Sequence, residues 1–477
     1  MERFYIKKLL ETTQARTKYK RFLHSRAASN AVIVTIVLVF LYLLISLYFT
    51  KHFLFHTVIN GIDVSLKAPN KTEASIDQYV ADYELCLIDR NGATEILSGQ
   101  DMGLEYNEKI SVNSLYRLQK SFRWFISVFK NQQYQVKDFY RYDDALVDGL
   151  IDRLACLNND CIKSRDVSFQ YKDGAYEVVK EIYGNIINKE KLKKAVKTAI
   201  MQGKRELNLE EEYCYIYPKY TLKSEKTWET LNLLNKYVST KVIYQIGSKS
   251  ETLDGSIISK WLNLDEDLNI EINNTAIKNY VAELSHNYDT VGKERIFLSS
   301  MNKAVTVKGG VYGWKIDREA EVNAILNNVK AGEYTQREPI YAQTALSREE
   351  NDIGDTYVEI NITRQYLWFY KNGKLVTEGP VVTGNPNKGN ATTTGTHKII
   401  YKQNFATLSG ANYEVKVTYW MPFYGNMGIH DASWRNSFGG DIYKRNGTHG
   451  CVNAPYSLAK KIFENIEDGI PVVVYQE

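Results

Sequence analysis

The alternation of apolar and polar positions divides this chain into three stretches of different character. From Ala31 to Phe49 it reads AVIVTIVLVFLYLLISLYF, without one charge. As a helix this run spans roughly 28 Å, about the hydrocarbon thickness of a bilayer. A long middle region follows in which helical and strand periods alternate. From Thr356 the pattern switches to short strands: YVEINITRQYLWFY (357–370) alternates, Asn372-Gly373 supplies a two-residue hairpin turn, and KLVTEGPVVTG (374–384) returns. Further strands are predicted over 395–401, 413–421 and 471–475, with one helix over 458–465. The expected architecture is a transmembrane helix, a duplicated α+β module and a mainly-β C-terminal domain.

The duplication rests on a common offset. Tyr183-Gly184, Asn188, Glu190 and Gly203-Lys204 recur without a gap as Tyr312-Gly313, Asp317, Glu319 and Gly332-Glu333. An alternating run precedes each copy (Tyr176 and Val178; Val305 and Val307). Each continues into a helix, with Ala195, Val196 and Ile200 matched by Ala324, Ile325 and Val329. Both helices stop at a glycine, the usual C-terminal signal. LSGQDMGLEYN (97–107) and LDGSIISKWLNLD (253–265) look like a second paired element. We place the first module at 51–215, the second at 216–345, a linker from Arg337-Glu338-Pro339 to about Glu350, and the last domain at 355–477.

Charge orients the apolar helix. Arg3, Lys7, Lys8, Arg16, Lys18, Lys20, Arg21 and Arg26 precede it, against Glu2 and Glu11. The positive-inside rule makes 1–30 a cytoplasmic tail, 31–50 the membrane span and everything past Lys51 extracellular. The run is too long for a signal-peptide core and no small-x-small site follows it, so a permanent anchor is expected. With 477 residues the chain holds two to four domains, and its net charge of +4 gives no reason to invoke nucleic acid. Five cysteines (Cys86, Cys156, Cys161, Cys214, Cys451) leave at least one thiol unpaired within the chain.

One constellation carries chemistry. Gly428-Ile429-His430-Asp431-Ala432-Ser433-Trp434-Arg435 is followed by Gly447-Thr448-His449-Gly450-Cys451-Val452-Asn453. Only a thiolate attacks a carbonyl well; an imidazole supplies the base, and a second polar group orients that imidazole. Cys451 has two histidines near it in sequence, His430 and His449. Gly450 permits close backbone approach, so the N–H groups of Gly450 and Cys451 are candidate oxyanion donors. A cysteine near a histidine is, taken alone, more often a buried hydrophobe or half of a disulfide.

The whole string changes that balance. Thr448-His449-Gly450-Cys451-Val452-Asn453, with Gly428-Ile429-His430 upstream, resembles the signature of L,D-transpeptidase catalytic domains of the YkuD-like fold. The resemblance covers about 355–477, including Val382-Thr383-Gly384 and Thr394-Gly395-Thr396; Thr393 stands where many members have Pro. It implies that Cys451 is the acylated nucleophile, His430 its base and Asp431 an orienting residue. Thr448, His449 and Asn453 would shape the pocket, Trp434 would wall it, and Arg435 would meet a substrate carboxylate or else make a local ion pair at the surface. His397 receives no role. Asn60-Gly61-Ile62-Asp63-Val64, Tyr288-Asp289-Thr290 and Gly309-Gly310-Val311-Tyr312-Gly313-Trp314 resemble the peptidoglycan-binding repeat that precedes such domains in Gram-positive bacteria. Turn glycines and core aromatics of this kind serve folding before they serve a ligand.

The resemblance implies a cell-wall enzyme that forms 3→3 cross-links through a Cys451 thioester, with peptidoglycan stem peptides as donor and acceptor. A carboxypeptidase using the same nucleophile, and a non-catalytic wall-binding protein, are the alternatives. No cofactor is implied, and the histidines are too few and wrongly spaced for a metal site.

Overall fold

The computed structural model describes residues 12, 26–117, 119–158, 161–348, 351–410 and 413–477; the basic positions at 3–21 lie outside them. Helix α1 (Arg26–Tyr48) contains the apolar stretch Ser29–Tyr48, long and apolar enough to cross a membrane. The chain forms two compact units, Met1–Val167 with Lys180–Thr221, and Ser168–Val179 with Leu222–Glu477.

In the first unit, α2 (Pro69–Ala81) leads into an antiparallel hairpin of β1 (Glu84–Ile88) and β2 (Thr94–Ser98). After α3 (Lys189–Gln202), β3 (Glu206–Asn208) pairs in parallel with β1. Ile76, Leu85, Leu87, Val196, Ile200 and Leu207 share one core. The caps explain the limits of α3. Asn188 accepts from the Lys191 amide, and Gly203 ends the helix at φ 66°, where a Cβ would lie 1.9 Å from the Asn60 carbonyl oxygen.

The second unit repeats this plan. Helix α4 (Glu225–Val238) precedes the hairpin β4 (Lys241–Ile246) and β5 (Lys249–Leu253). Helix α5 (Asn274–Tyr288) and a second hairpin, β6 (Arg295–Leu298) and β7 (Ala304–Val307), follow. Helix α6 (Arg318–Ala331) is capped by Asp317 and ends at Gly332 (φ 70°); β8 (Tyr334–Arg337) then pairs in parallel with β4. The paired caps Asn188/Asp317 and Gly203/Gly332 are the residues that the sequence offset matched.

The two alternating runs behave differently from the helices. The hairpin of Ser168–Lys172 and Ala175–Val179 belongs to the second unit, where Tyr171 and Tyr176 join its core and Asn235 on α4 bonds both the amide and the carbonyl of Tyr176. Hairpin β6–β7 likewise faces onward: Phe297, Val305 and Val307 cluster with Ile353, Val473 and Tyr475. Beside this contact the Arg295 guanidinium meets the Asp352 carboxylate at 2.6 and 2.8 Å, with both side chains almost fully buried. Asp352→Ala strands a buried cation and should cost about 3–5 kcal/mol in chemical denaturation; an unchanged unfolding midpoint would contradict this role.

The last domain has two sheets. Five strands run in the order β11 (Lys374–Pro380), β10 (Tyr366–Lys371), β9 (Tyr357–Asn361), β17 (Pro471–Tyr475), β12 (Gly395–Lys398). Four more run β13 (Gln403–Gly410), β14 (Tyr413–Tyr424), β15 (Met427–Asp431), β16 (Val452–Ala454). Val358, Leu367, Phe369, Phe423, Ile429, Val452 and Val472 fill the core, with Leu458 and Ile462 of α7 (Tyr456–Asn465) against it. Asn372 and Gly373 take φ 51° and 72°, the doubly left-handed turn expected of that pair.

Three details differ from the sequence reading. The alternating run 357–370 is two strands, because the Asn361 side chain accepts from the Arg364 amide and turns the chain. Strand β13 was not predicted; its residues are half polar and expose all but Ala406 and Leu408. Arg337, expected to open a linker, lies in β8 and pairs with the buried Glu321 carboxylate at 2.5 Å. None of the five cysteines is in a disulfide.

Candidate active site

Strand pairing brings the two halves of the motif together. β15 and β16 are parallel neighbours, with Ile429 opposite Val452 and His430 opposite Asn453. Cys451 immediately precedes β16 and so falls beside Gly428, whose N–H approaches its sulfur. The thiol also reaches the Asn426 carbonyl at 3.6 Å. Cys451, His430, Trp434, Arg435, Thr448, His449 and Asn453 all line one cavity of about 210 Å³, which Leu408 of β13 and Val415 of β14 complete.

His430 is buried between two indoles, Trp420 and Trp434, each with its ring centre 5.9 Å away. Its Nδ1 lies 2.8 Å from the Asp431 carbonyl oxygen, so Nδ1 carries the hydrogen and Nε2 is left as the acceptor. The main chain of Asp431 therefore does the orienting. Its carboxylate is occupied elsewhere, accepting from the Thr418 and Tyr419 amides at 2.8 and 2.7 Å, which fixes β15 against β14. The contact from Asp431 to the imidazole is thus made by its main chain and not by its carboxylate.

The loop that carries Cys451 is held by hydroxyls. Thr448 Oγ1 donates to the Cys451 carbonyl at 2.5 Å and accepts from the Gly450 amide at 3.0 Å. Thr392 Oγ1 donates to the Gly450 carbonyl at 2.8 Å and accepts from the Gly384 amide. Gly450 stands at φ 120°, and a Cβ there would come within 2.9 Å of the Met427 methyl, so glycine is required. Because its amide is already donated to Thr448, Gly450 is not a free oxyanion donor in this arrangement, contrary to expectation. Asn453 is buried and exchanges two 2.9 Å main-chain bonds with Val382.

Electrostatics follow from burial. Burial pushes the His430 imidazole below its ordinary value. It pushes the Cys451 thiol up, partly offset by the Gly428 N–H and its own N–H, which favour the thiolate. Both shifts favour a neutral thiol–imidazole pair at neutral pH. Alkylation of Cys451 by iodoacetamide should therefore accelerate only above the ordinary thiol range, past about pH 8.5. A rate already at its plateau near pH 6 would mean a preformed thiolate.

Arg435 is half-buried, makes no ion pair among the described residues, and has its Nε buried without a partner. His449 is exposed at the cavity rim. His397 is buried against Phe423 and Tyr424 with Nε2 near the Thr393 carbonyl, away from the cavity. Sequence reasoning missed Trp420, which stands opposite His430 in the β14–β15 register, and the Thr392 latch, which is far from Gly450 in sequence.

Residues 355–474 match the family described as the L,D-transpeptidase catalytic domain, and 97–208 and 220–337 each match the one described as "Putative peptidoglycan binding domain". Among solved structures, a mutant L,D-transpeptidase of Enterococcus faecium is 33% identical, over 52% of this chain and 100% of its own (TM-score 0.44). The E. faecium catalytic domain acylated by ertapenem is 41% identical over 26% of this chain and 98% of its own (TM-score 0.24). An L,D-transpeptidase from Stackebrandtia nassauensis is 31% identical over 25% of this chain and 55% of its own (TM-score 0.22). No curated protein matches. With both kinds of domain matched in order, and a relative aligned along its whole length, this chain belongs to the L,D-transpeptidases.

Proposed function

We propose that this protein is a membrane-anchored acyltransferase that forms 3→3 cross-links in peptidoglycan. The observation that carries the reading is the fixed tautomer of His430, whose Nε2 is left to accept a proton in the cavity that also holds Cys451. In the first step Nε2 takes the thiol proton as sulfur attacks the carbonyl between the third residue and D-Ala of a tetrapeptide stem. The Cys451 N–H steadies the oxyanion, and the Gly450 N–H joins it once the Thr448 bond opens. Collapse breaks the C–N bond, and His430 returns the proton to the departing D-Ala amine. In the second step the side-chain amine of a neighbouring stem attacks the thioester, forms the new amide and releases the thiol. Trp434 supplies an apolar wall, and the unpaired Arg435 suits a stem carboxylate.

The anchor reading rests on α1 and the basic residues before it: the N-terminus is cytoplasmic and both modules and the catalytic domain are extracellular. Protease added to intact protoplasts should then digest everything past Lys51; protection of the catalytic domain would contradict this topology. Transfer is tested on the ectodomain, residues 51–477, given tetrapeptide-stem muropeptides. Chromatography with mass spectrometry should find 3→3 dimers. Tripeptide as the sole product would make the protein a carboxypeptidase, and no turnover at all would leave a wall-binding role.

A further inference from the structure

The first unit carries an apolar surface that catalysis and wall binding do not use. Residues 121–130 read SFRWFISVFK, and the structure exposes Phe122, Phe125, Ile126, Val128 and, at 92%, Phe129. A soluble surface seldom gathers so many large apolar groups within eight residues. Their position relative to α1 gives the reason.

This segment is built onto the outer end of the apolar helix. The carbonyl of Phe49 accepts from Ser121 Oγ at 2.8 Å, from Gln119 Nε2 at 3.1 Å and from the Tyr116 hydroxyl. Tyr42 donates to the Phe122 carbonyl at 2.6 Å, and the Trp124 ring packs on Tyr42 and Phe49. Tyr42, Ser46 and Phe49 lie on one helical face, and Ser46 and Phe49 are fully buried there. Tyr42 is six residues before the end of the helix, roughly 9 Å along its axis. A helix that spans a bilayer thus holds Phe122 at the depth where an interfacial segment seats its apolar side chains.

The charges beside this face share one sign. A cleft of about 270 Å³ opens next to it, lined by Leu54, Lys120, Arg123, Ile126, Lys130 and their neighbours, and among the described residues the charged side chains that line it are Lys120, Arg123 and Lys130. Cations over a phosphate, with phenyl rings toward acyl chains, match an anionic phospholipid end to end.

We propose that residues 119–130 form a foot that enters the outer leaflet and seats the phosphate of an anionic phospholipid among Lys120, Arg123 and Lys130. The inference rests on the reading of α1 as a membrane span. The foot adds a second membrane contact at the base of the first module.

The test uses the full chain in vesicles of phosphatidylcholine and phosphatidylglycerol at about 2:1. A photoreactive p-benzoylphenylalanine replaces Phe129, or Leu38 inside α1, or Leu233 on the exposed face of α4. Lipid adducts identified by mass spectrometry should form at 38 and 129 and not at 233. At 129 the ratio of phosphatidylglycerol to phosphatidylcholine adducts should exceed that of the vesicle about threefold. Lys120→Gln/Arg123→Gln/Lys130→Gln should abolish that enrichment while leaving the adduct at 38. Adducts at 38 without any at 129 would overturn the foot and leave the span intact. Adducts at neither would remove the span and the foot together. Cross-links from 129 to a second copy of the chain would assign the apolar face to self-association and overturn the proposal.

Discussion

Cys451→Ala should reduce acylation by a carbapenem at least ~10⁴-fold, the scale of losing a covalent nucleophile. The native protein should carry one adduct, on the peptide containing Cys451. The competing thiols test the assignment. Cys161 is exposed, Cys214 is fully buried and Cys156 is half-buried with its thiol pushed up to about 12, chiefly by burial. Accessibility alone would select Cys161. The proposed mechanism selects Cys451 instead, because among the described residues it is Cys451 that shares a cavity with His430 and has two N–H groups and a hydroxyl-braced loop around it. Since Cys451 is only part-buried, Cys451→Ala should unfold within about 1 kcal/mol of the native protein. A Cys451→Ala protein that still acquires the adduct would place the nucleophile elsewhere.

His430→Ala should slow acylation by about 10²- to 10⁴-fold, the range for a lost general base. The structure adds a cost the motif does not reveal. His430 fills a slot between Trp420 and Trp434, so its removal leaves a cavity and should lower stability by about 1–3 kcal/mol. Chemistry and packing are separated by adding imidazole, which should restore part of the lost rate without restoring the melting temperature. Rescue of the melting temperature alone would give His430 a structural role. The comparison with His449→Ala is informative because His449 sits exposed at the rim: its loss should be mild, and a larger loss than that of His430→Ala at equal stability would exchange the two roles.

What the sequence disclosed follows from where each signal resides. Helix limits are local, and Asn188, Gly203, Asp317 and Gly332 do in space what their spacing announces. The reactive string is local too, since Gly450, Cys451 and Thr448 form one braced loop. The groups that tune it are not local. Trp420 reaches His430 only through the β14–β15 register, and Thr392 reaches Gly450 across 58 positions. Asp431 was legible as a neighbour of His430, yet which of its oxygens meets the imidazole depends on β14 passing close enough to occupy the carboxylate. The hairpins 168–179 and β6–β7 were read as parts of their own copies. Each instead contributes its apolar face to the element that follows in sequence, a preference visible only once the cores are assembled.

A thioester on Cys451 can be weighed directly. The ectodomain is mixed with a tetrapeptide-stem muropeptide without acceptor, quenched in acid within the first turnover and digested for peptide mass spectrometry. The peptide containing Cys451 should gain the mass of the donor less D-Ala, hydroxylamine should release this mass, and His430→Ala should accumulate far less of it. Turnover of the donor with Cys451 unmodified, or with the added mass on Cys86, Cys156, Cys161 or Cys214, would contradict the thioester.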